Sequence, residues 1–269
     1  MKDPNCKNEK NLNIRKRVYS VGILICFLVF VISAYQIIRY YASAHKADEE
    51  FAQLAEMAEQ QPEGKSGTDE NLEEKRSLLE RYRQLSEQNN DMAGWIAIDG
   101  TQINYPVMYT PDDPDFYLKH SFEKEYSDYG VPYIAEHCDP EKPSDNVIIY
   151  GHHMKNGSMF AGLEEFENKN FYENHKKIRF DTLTEIAEYE IITVFKTTVY
   201  DDTGFKYYLF ANAETEKEFT EYVEQCRKLA LYDTGVSAKY GDKLLTLSTC
   251  EYSRDNGRLV VVAKKAVAE

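Results

Sequence analysis

Positive charge is scarce over most of this 269-residue sequence. Residues 1–46 carry eight Lys and Arg against two acidic residues, whereas the remainder carries 24 basic and 44 acidic residues, a net charge of −20. Proteins that bind nucleic acids gain affinity by neutralising phosphates with basic side chains. The acidic balance therefore argues against a nucleic-acid-binding protein.

Internal repeats and long low-complexity tracts are also absent from the sequence. A hydrophobic content of 42%, with 13% aromatic residues, is enough to bury one substantial core in a chain of this length, but not two large ones. We therefore expect one main folded domain.

Charged residues are missing from Val18–Ile38, a run of 21 residues. Such a helix is long enough to cross a hydrocarbon core of about 30 Å. Six basic residues precede the run, so the positive-inside rule predicts that residues 1–17 are cytoplasmic and that the rest of the chain is extracellular. A cleaved signal peptide is the alternative, since Ala42–Ala44 supplies an A-x-A site, but the length of the run favours an uncleaved anchor.

Cysteine is sparse, with five residues in the chain. Cys6 would be cytoplasmic and Cys26 would lie in the membrane, so Cys138, Cys226 and Cys250 would be outside. An odd number leaves at least one thiol unpaired. Cys226 falls in a helical pattern and is interpreted as a core residue, although a disulfide between Cys138 and Cys226 remains open.

Residues 39–71 are predicted as an extracellular stalk. The segment is rich in Glu, Gln, Lys and Ala and contains the helix-breaking run 61–67. From residue 72 onwards, Leu78, Leu79, Tyr82 and Leu85 recur at helical spacing, which indicates a helix packed on the domain that spans 72–269.

The period of the hydrophobic pattern changes to that of short strands from Gly94. Eight strands separated by Gly, Asp and Pro predict a mainly β fold, a closed or nearly closed β-barrel. Helical inserts are expected at 160–166 and 214–231. The predicted strands are 94–98, 101–107, 131–134, 147–150, 177–180, 187–199 (an interruption in this one is left open), 244–249 and 259–263.

The last two strands form a hairpin whose turn is Asp255–Gly257. Cys250 lies where the first strand ends and Arg258 opens the second, so pairing across the hairpin brings a thiol and a guanidinium together. A thiol beside a fixed cation tends towards the nucleophilic thiolate. Taken alone, the pair is more typical of a Cys that packs as a small hydrophobic residue and a solvated Arg than of a catalytic pair.

A second candidate site follows the strand 147–150, where Gly151 precedes His152 and His153. This arrangement places an imidazole at the edge of a sheet, where it can meet Cys250 across a barrel. The alternatives are a surface His pair and a metal site with His137 and Cys138, although their spacing fits no closed tetrahedral ligand set.

These features together resemble the sortases, membrane-anchored cysteine transpeptidases of Gram-positive bacteria, and class B in particular. The likeness covers about residues 72–265 and includes a long helix before the final hairpin. The matching blocks are Gly94–Ile96, Ile103–Val107, Tyr117–His120, Ile149–Met154, Gly157–Phe160, Thr246–Cys250 and Arg258.

The resemblance implies a closed eight-stranded sortase-type β-barrel with an N-terminal helix, and a reaction that needs no cofactor or metal. Cys250 would attack the carbonyl of Thr in a C-terminal sorting pentapeptide of secreted proteins, and His152 would move the protons. Arg258, with Arg254 as a spare candidate, would hold substrate and oxyanion. Substrate-contacting positions match Ser248, Thr249, Tyr208 and Leu209.

The implied product is a protein joined to an amine of peptidoglycan or its lipid-linked precursor. Two other functions compete with this reading. A cell-wall cysteine peptidase or amidase would use the same Cys and His and transfer the acyl group to water, whereas an anchored β-barrel adhesin would keep Cys250 as a core residue.

Overall fold

The computed structural model describes residues 4–59, 70–140, 142, 144–199 and 204–266. The chain forms two compact units, residues 1–48 and 49–269. Helix α1 covers Pro4–Glu59. Within the described residues, one helix near the N-terminus is long and apolar enough to cross a membrane.

The second unit begins with the last turns of α1. The ring of Phe51 meets that of Tyr105 edge-on, with centroids 5.0 Å apart, and a Glu50 carboxylate oxygen accepts the Phe122 N–H at 3.0 Å. Residues 49–59 therefore pack on the domain, although the sequence assigned them to a stalk. The predicted helix-breaking run 61–67 lies outside the described residues.

Helix α2, Glu70–Gln88, also packs on the domain, as its pattern predicted. The Tyr82 ring stacks on Trp95 with centroids 5.9 Å apart, and its hydroxyl donates to the buried Asp181 carboxylate at 3.0 Å. Leu85 on the same face is buried. These contacts fix the helix against the first strand.

Eight strands close into a barrel in the order β1-β2-β3-β4-β7-β8-β6-β5, which confirms the predicted fold. The neighbours β4 and β7 are parallel, whereas β8 is antiparallel to both β7 and β6. The strands are β1 Met92–Ala97, β2 Asn104–Met108, β3 Tyr133–Ile134, β4 Asn146–Tyr150, β5 Lys177–Thr182, β6 Glu188–Thr198, β7 Leu244–Glu251 and β8 Gly257–Lys265.

Strand β6 is continuous, with a shift of register between Ile191 and Thr193 where the sequence left open an interruption. The predicted insert at 160–166 is a 3-10 helix, Phe160–Glu167, and the short helix α3, Lys169–Asn174, follows it.

Helix α4, Glu216–Lys228, is the predicted long helix before the final hairpin. Thr215 caps its N-terminus, because the Thr215 side chain accepts the Glu218 N–H. The helix ends three residues before the predicted end because the Leu231 N–H donates to the Val194 carbonyl of β6 at 2.8 Å. Cys226 lies on its buried face, as predicted.

Candidate active site

The candidate catalytic residues lie on β7, on β8 and just beyond the end of β4. In the β7–β8 pair, Cys250 is directly opposite Arg258, as the hairpin pattern predicted. Paired residues on adjacent strands point to the same face of a sheet, so these two side chains project from one face. In the parallel β4–β7 pair, Tyr150, the last residue of β4, is opposite Ser248, and His152 follows two residues later.

Two hydrogen bonds extend the link between β4 and β7 beyond the end of β4. The Gly151 N–H donates to the Ser248 carbonyl at 3.1 Å, and the Thr249 hydroxyl donates to the Gly151 carbonyl at 2.8 Å. The backbone that enters His152 is thus fixed to the strand that carries Cys250.

Cys250 is half-buried and its thiol is free. Arg258 is half-buried, and its Nη1 donates to the Gly257 carbonyl at 2.9 Å. Arg254 is exposed in the loop between the two strands. Of the two arginines, Arg258 is the one that the sheet register sets beside the thiol.

The His152 ring is held by a backbone carbonyl. Its Nε2 lies 2.7 Å from the Leu118 oxygen, and because a carbonyl only accepts, Nε2 carries a proton. In the neutral imidazole the lone pair is therefore on Nδ1. Burial lowers the pKa of His152, while the hydrogen bond to Leu118 opposes part of that shift.

Gly130 allows the backbone to pack closely against the segment that contains Leu118. Gly130 has a φ of +59°, and a Cβ there would overlap the carbonyl oxygens of Tyr117 and Leu118. The next residue, Val131, donates its N–H to the Tyr117 oxygen at 3.0 Å. The carbonyl that orients His152 is thus part of a tightly packed connection.

The neighbouring His153 has different partners. Its Nε2 lies 2.8 Å from a Glu164 carboxylate oxygen, and its ring meets Tyr252 edge-on with centroids 5.1 Å apart. The Tyr252 hydroxyl also donates to the His153 carbonyl at 3.1 Å.

Of the predicted substrate contacts, Ser248 and Thr249 are each 2% exposed. The Thr249 hydroxyl is bonded to Gly151, as described, and the Ser248 hydroxyl lies 2.6 Å from that of Tyr207. Tyr208 is half-buried and Leu209 is 67% exposed. Leu209 is thus the residue among them that is open to a ligand.

Tyr207 and Tyr252 belong to the site but were not found from the sequence. Burial raises the pKa of Tyr207 to about 12, against the effects of its Ser248 hydrogen bond and the Arg258 charge. Burial also raises the pKa of Tyr252, on which Cys250 and Arg258 act electrostatically. One signal was available for Tyr207, because it is adjacent to the predicted Tyr208 and Leu209.

Cys138 and Cys226, the two candidates for a disulfide, are free thiols. Cys138 donates to the Asn146 carbonyl at 3.3 Å, and burial raises its pKa to about 11. Burial raises the pKa of Cys226 to about 12. His137 lies 3.9 Å from Glu136, and the described part of the chain holds no group of three or more His, Cys, Asp or Glu arranged to bind a metal.

Comparison with known proteins accounts for this arrangement. Residues 96–266 match the family model described as the sortase domain. This region is well over half of the sequence, and the chain therefore belongs to the sortase family. Its members are cysteine transpeptidases that anchor proteins to the cell wall, and this is the activity of the chain.

The relatives narrow the assignment to class B, as the sequence predicted. Sortase B of Listeria monocytogenes is 33% identical over 189 residues, which cover 70% of this chain and 74% of the relative. Sortase B of Staphylococcus aureus is 28% identical over 258 residues, covering 93% and 97%. A solved sortase B–substrate complex from S. aureus superposes with a TM-score of 0.72 at 26% identity, covering 85% of this chain and all of that one.

Proposed function

We propose that this transpeptidase cleaves a C-terminal sorting pentapeptide of secreted proteins after Thr and transfers the new carboxyl group to an amine of peptidoglycan or its lipid-linked precursor. The observation that carries the proposal is the pairing of Cys250 with Arg258 across β7 and β8, together with the hydrogen bonds that fix Gly151, the residue before His152, to β7. A thiol, a proton-transfer group and a fixed cation are the parts that acyl transfer through a thioester requires.

In the first half of the reaction, the Cys250 thiolate, whose proton His152 holds, attacks the Thr carbonyl carbon and a C–S bond forms. The peptide C–N bond breaks, and the leaving nitrogen takes a proton from Nδ1 of protonated His152. The neutral ring that results keeps its Nε2 proton on the Leu118 carbonyl. No rotation of the ring is needed before the second half, in which Nδ1 accepts a proton from the incoming amine.

Arg258 holds the oxygen that becomes negative when the carbonyl is attacked. Its planar guanidinium offers several donors in fixed directions, which a lysine ammonium does not. The neighbouring strands keep the side chain beside Cys250, because Arg258 pairs with Cys250 on one side and with Thr197 on the other.

The sorting peptide contacts Tyr208 and Leu209, which the connection from β6 to α4 presents beside the site. Ser248 and Thr249 act through their neighbours, since the Ser248 hydroxyl orients Tyr207 and the Thr249 hydroxyl fixes Gly151. No cofactor takes part in any of these steps.

The apolar helix anchors the enzyme in the cell membrane as a single pass through residues 18–38. The basic residues before this run keep residues 1–17 in the cytoplasm, so that residues 39–269 are extracellular. This orientation is supported by the reaction itself, because secreted proteins and wall amines meet outside the membrane.

The proposal is tested by incubating the full-length chain in detergent micelles with a panel of fluorogenic pentapeptides, with and without added amines. Wild-type protein should cleave at least one peptide and form an amide with an amine, and Cys250→Ala should do neither while keeping its circular dichroism spectrum. Cleavage with transfer only to water would identify a peptidase instead, and slow alkylation of Cys250 with no cleavage would indicate an adhesin.

A further inference from the structure

Lys196, on β6, lies between two carboxylates close to the candidate active site and has no part in the steps proposed above. Its Nζ is 2.8 Å from a Glu167 oxygen and 3.3 Å from a Glu251 oxygen. The Lys196 side chain is 20% exposed and that of Glu251 is 5% exposed. Charges withdrawn this far from water depend on their partners, because a buried charge without a partner is costly.

This ion cluster lies on the face of the sheet away from the thiol. Glu251 is opposite Gly257 in the β7–β8 pair, whereas Cys250, the residue before it, is opposite Arg258. Because side chains alternate along a strand, the Glu251 carboxylate and the Cys250 thiol point to opposite faces. Gly257 leaves the path across β8 open to the Lys196 ammonium, since a Cβ there would lie 2.9 Å from Glu251 Oε2. Lys196 is therefore placed to act on Cys250 through the strand rather than on a substrate.

Glu251 connects the lysine to the thiol. It is the last residue of β7 and directly follows Cys250. Its carboxylate also accepts the N–H and the hydroxyl of Ser253, each at 2.8 Å. Burial alone would raise the pKa of Glu251, but the hydrogen bonds from Ser253 and Lys196 lower it below its usual value. An ionised carboxylate with three donors thus fixes the end of β7, one residue from the thiol.

Glu167 connects the lysine to the segment that follows His152. It is the last residue of the 3-10 helix Phe160–Glu167. At the start of that helix, the Phe160 N–H donates to the His152 carbonyl at 2.8 Å. The buried Phe160 ring also lies against Gly151, where a Cβ would come within 2.5 Å of it. The helix is therefore bonded to the imidazole residue at one end and to Lys196 at the other.

We propose that Lys196 is a positioning residue for the transfer reaction, because it joins the strand of Cys250 to the helix bonded to His152 and so fixes the thiol relative to the imidazole. The inference rests on the proposed function, since it gives a role in that reaction to a residue outside the substrate site. Proton transfer requires hydrogen-bond reach, and a displacement of about 1 Å can cost about a hundredfold in rate. Loss of the connection should therefore affect kcat much more than KM.

The test measures kcat and KM per folded molecule, with the full-length chain in detergent micelles and a cleavable pentapeptide. Lys196→Met keeps the length of the side chain and removes its charge. It should lower kcat about tenfold to a hundredfold and leave KM within about twofold of wild type. Glu167→Gln should lower kcat about threefold, because the Glu167 side chain is 35% exposed and such a pair is weaker.

The two variants together distinguish positioning from an effect of charge on the thiol. Lys196→Met makes the surroundings of Cys250 more negative, whereas Glu167→Gln makes them less negative. A purely electrostatic effect would change kcat in opposite directions, but positioning lowers it in both. The double variant should be no slower than Lys196→Met alone, because either change breaks the same connection.

Lys265→Met is the matched control. Lys265 pairs with Glu185, its side chain is 28% exposed, and it is the last residue of β8, at the other end of the strand from Arg258. This variant should keep the kcat of wild type. Thermal unfolding followed by circular dichroism gives the folded fraction of each protein.

A wild-type kcat in folded Lys196→Met protein would overturn the inference. So would a loss confined to KM, opposite changes of kcat in the Lys196 and Glu167 variants, or an equal loss in Lys265→Met. If Lys196→Met fails to fold, Glu167→Gln decides, and an unchanged kcat in that variant would equally overturn the inference. Failure of the proposed function gives a different result, because wild-type protein would then cleave no peptide or form no amide with an added amine.

Discussion

His152 and His153 are adjacent in sequence but have separate partners, the Leu118 carbonyl and the Glu164 carboxylate. We expect His152→Ala to reduce peptide turnover by several orders of magnitude, because in the proposed mechanism it removes the group that moves both protons. His153→Ala should cost about tenfold or less, mostly through local packing. Measuring both variants with one peptide and one amine decides between them, and a severe loss confined to His153→Ala would reverse the assignment.

The protonation of His152 also affects stability. Its pKa is lowered in the folded chain, chiefly by burial, whereas in the unfolded chain it is about 6.5. Below that pH the unfolded state binds more protons than the folded state, so His152 makes the free energy of unfolding fall as pH falls. Above about 6.5 this effect disappears, since the ring is neutral in both states.

Urea unfolding of wild type and His152→Gln at several pH values between about 7.5 and 5 measures this effect. The variant should lose less stability than wild type over the acidic half of that range. Parallel curves for the two proteins would show that the ring is protonated equally in the folded and unfolded states.

The turn between β7 and β8 sets the spacing of the Cys250 thiol and the Arg258 guanidinium, the proposed catalytic pair. Asn256 has a φ of +54°, and a Cβ at Gly257 would overlap the Glu251 carbonyl oxygen. Glu251 is itself fixed, because its carboxylate accepts the Ser253 N–H at 2.8 Å and lies 3.3 Å from Lys196. Position 257 therefore has no room for a side chain unless one of the two strands moves.

We expect Gly257→Ala to destabilise the domain by about 1–3 kcal/mol, as overpacking usually does, and to lower activity further than that loss of folded protein explains. Thermal unfolding and the turnover of the folded fraction give the two quantities. Gly22→Ala, where a methyl meets no atom within 4 Å, is the matched control. If Gly257→Ala is destabilised but its folded fraction has normal turnover, the turn does not determine the position of Cys250.

Sequence patterns predicted the strands better than the helices in this domain. Alternation and turn residues located all eight strands, and the hairpin pattern paired Cys250 with Arg258. The end of α4 was placed too late because its last apolar residue, Leu231, bonds to β6 instead of continuing the helix. Such a tertiary contact leaves no periodic signal.

The candidate site could be predicted from the sequence only where it consists of side chains. Cys250, His152 and Arg258 were visible as residue types at strand ends, whereas the Leu118 carbonyl is a backbone atom and has no counterpart in a sequence pattern. Thr249 was predicted as a substrate contact from the resemblance, but its hydroxyl donates to the Gly151 carbonyl. The direction of a side chain depends on the partner strand, which the local sequence does not specify.

At the scale of the whole molecule, the proposed orientation predicts the outcome of proteolysis. Protease added to intact protoplasts should remove the extracellular domain and leave a short N-terminal fragment in the membrane, because six basic residues precede the apolar run. Immunoblotting with an N-terminal tag detects the fragment. Protection of the domain until the membrane is permeabilised would reverse the orientation and remove access to a wall substrate.

The parallel pairing of β4 with β7 also has a consequence for the timing of activity. The bond from Thr249 to Gly151 joins residues 98 positions apart, and β8, the last strand, supplies Arg258. Contacts of such long range form late and slowly during folding. Under the proposed mechanism, a growing chain therefore contains His152 long before Cys250, and it cannot form the thioester until the C-terminal strand has closed the barrel.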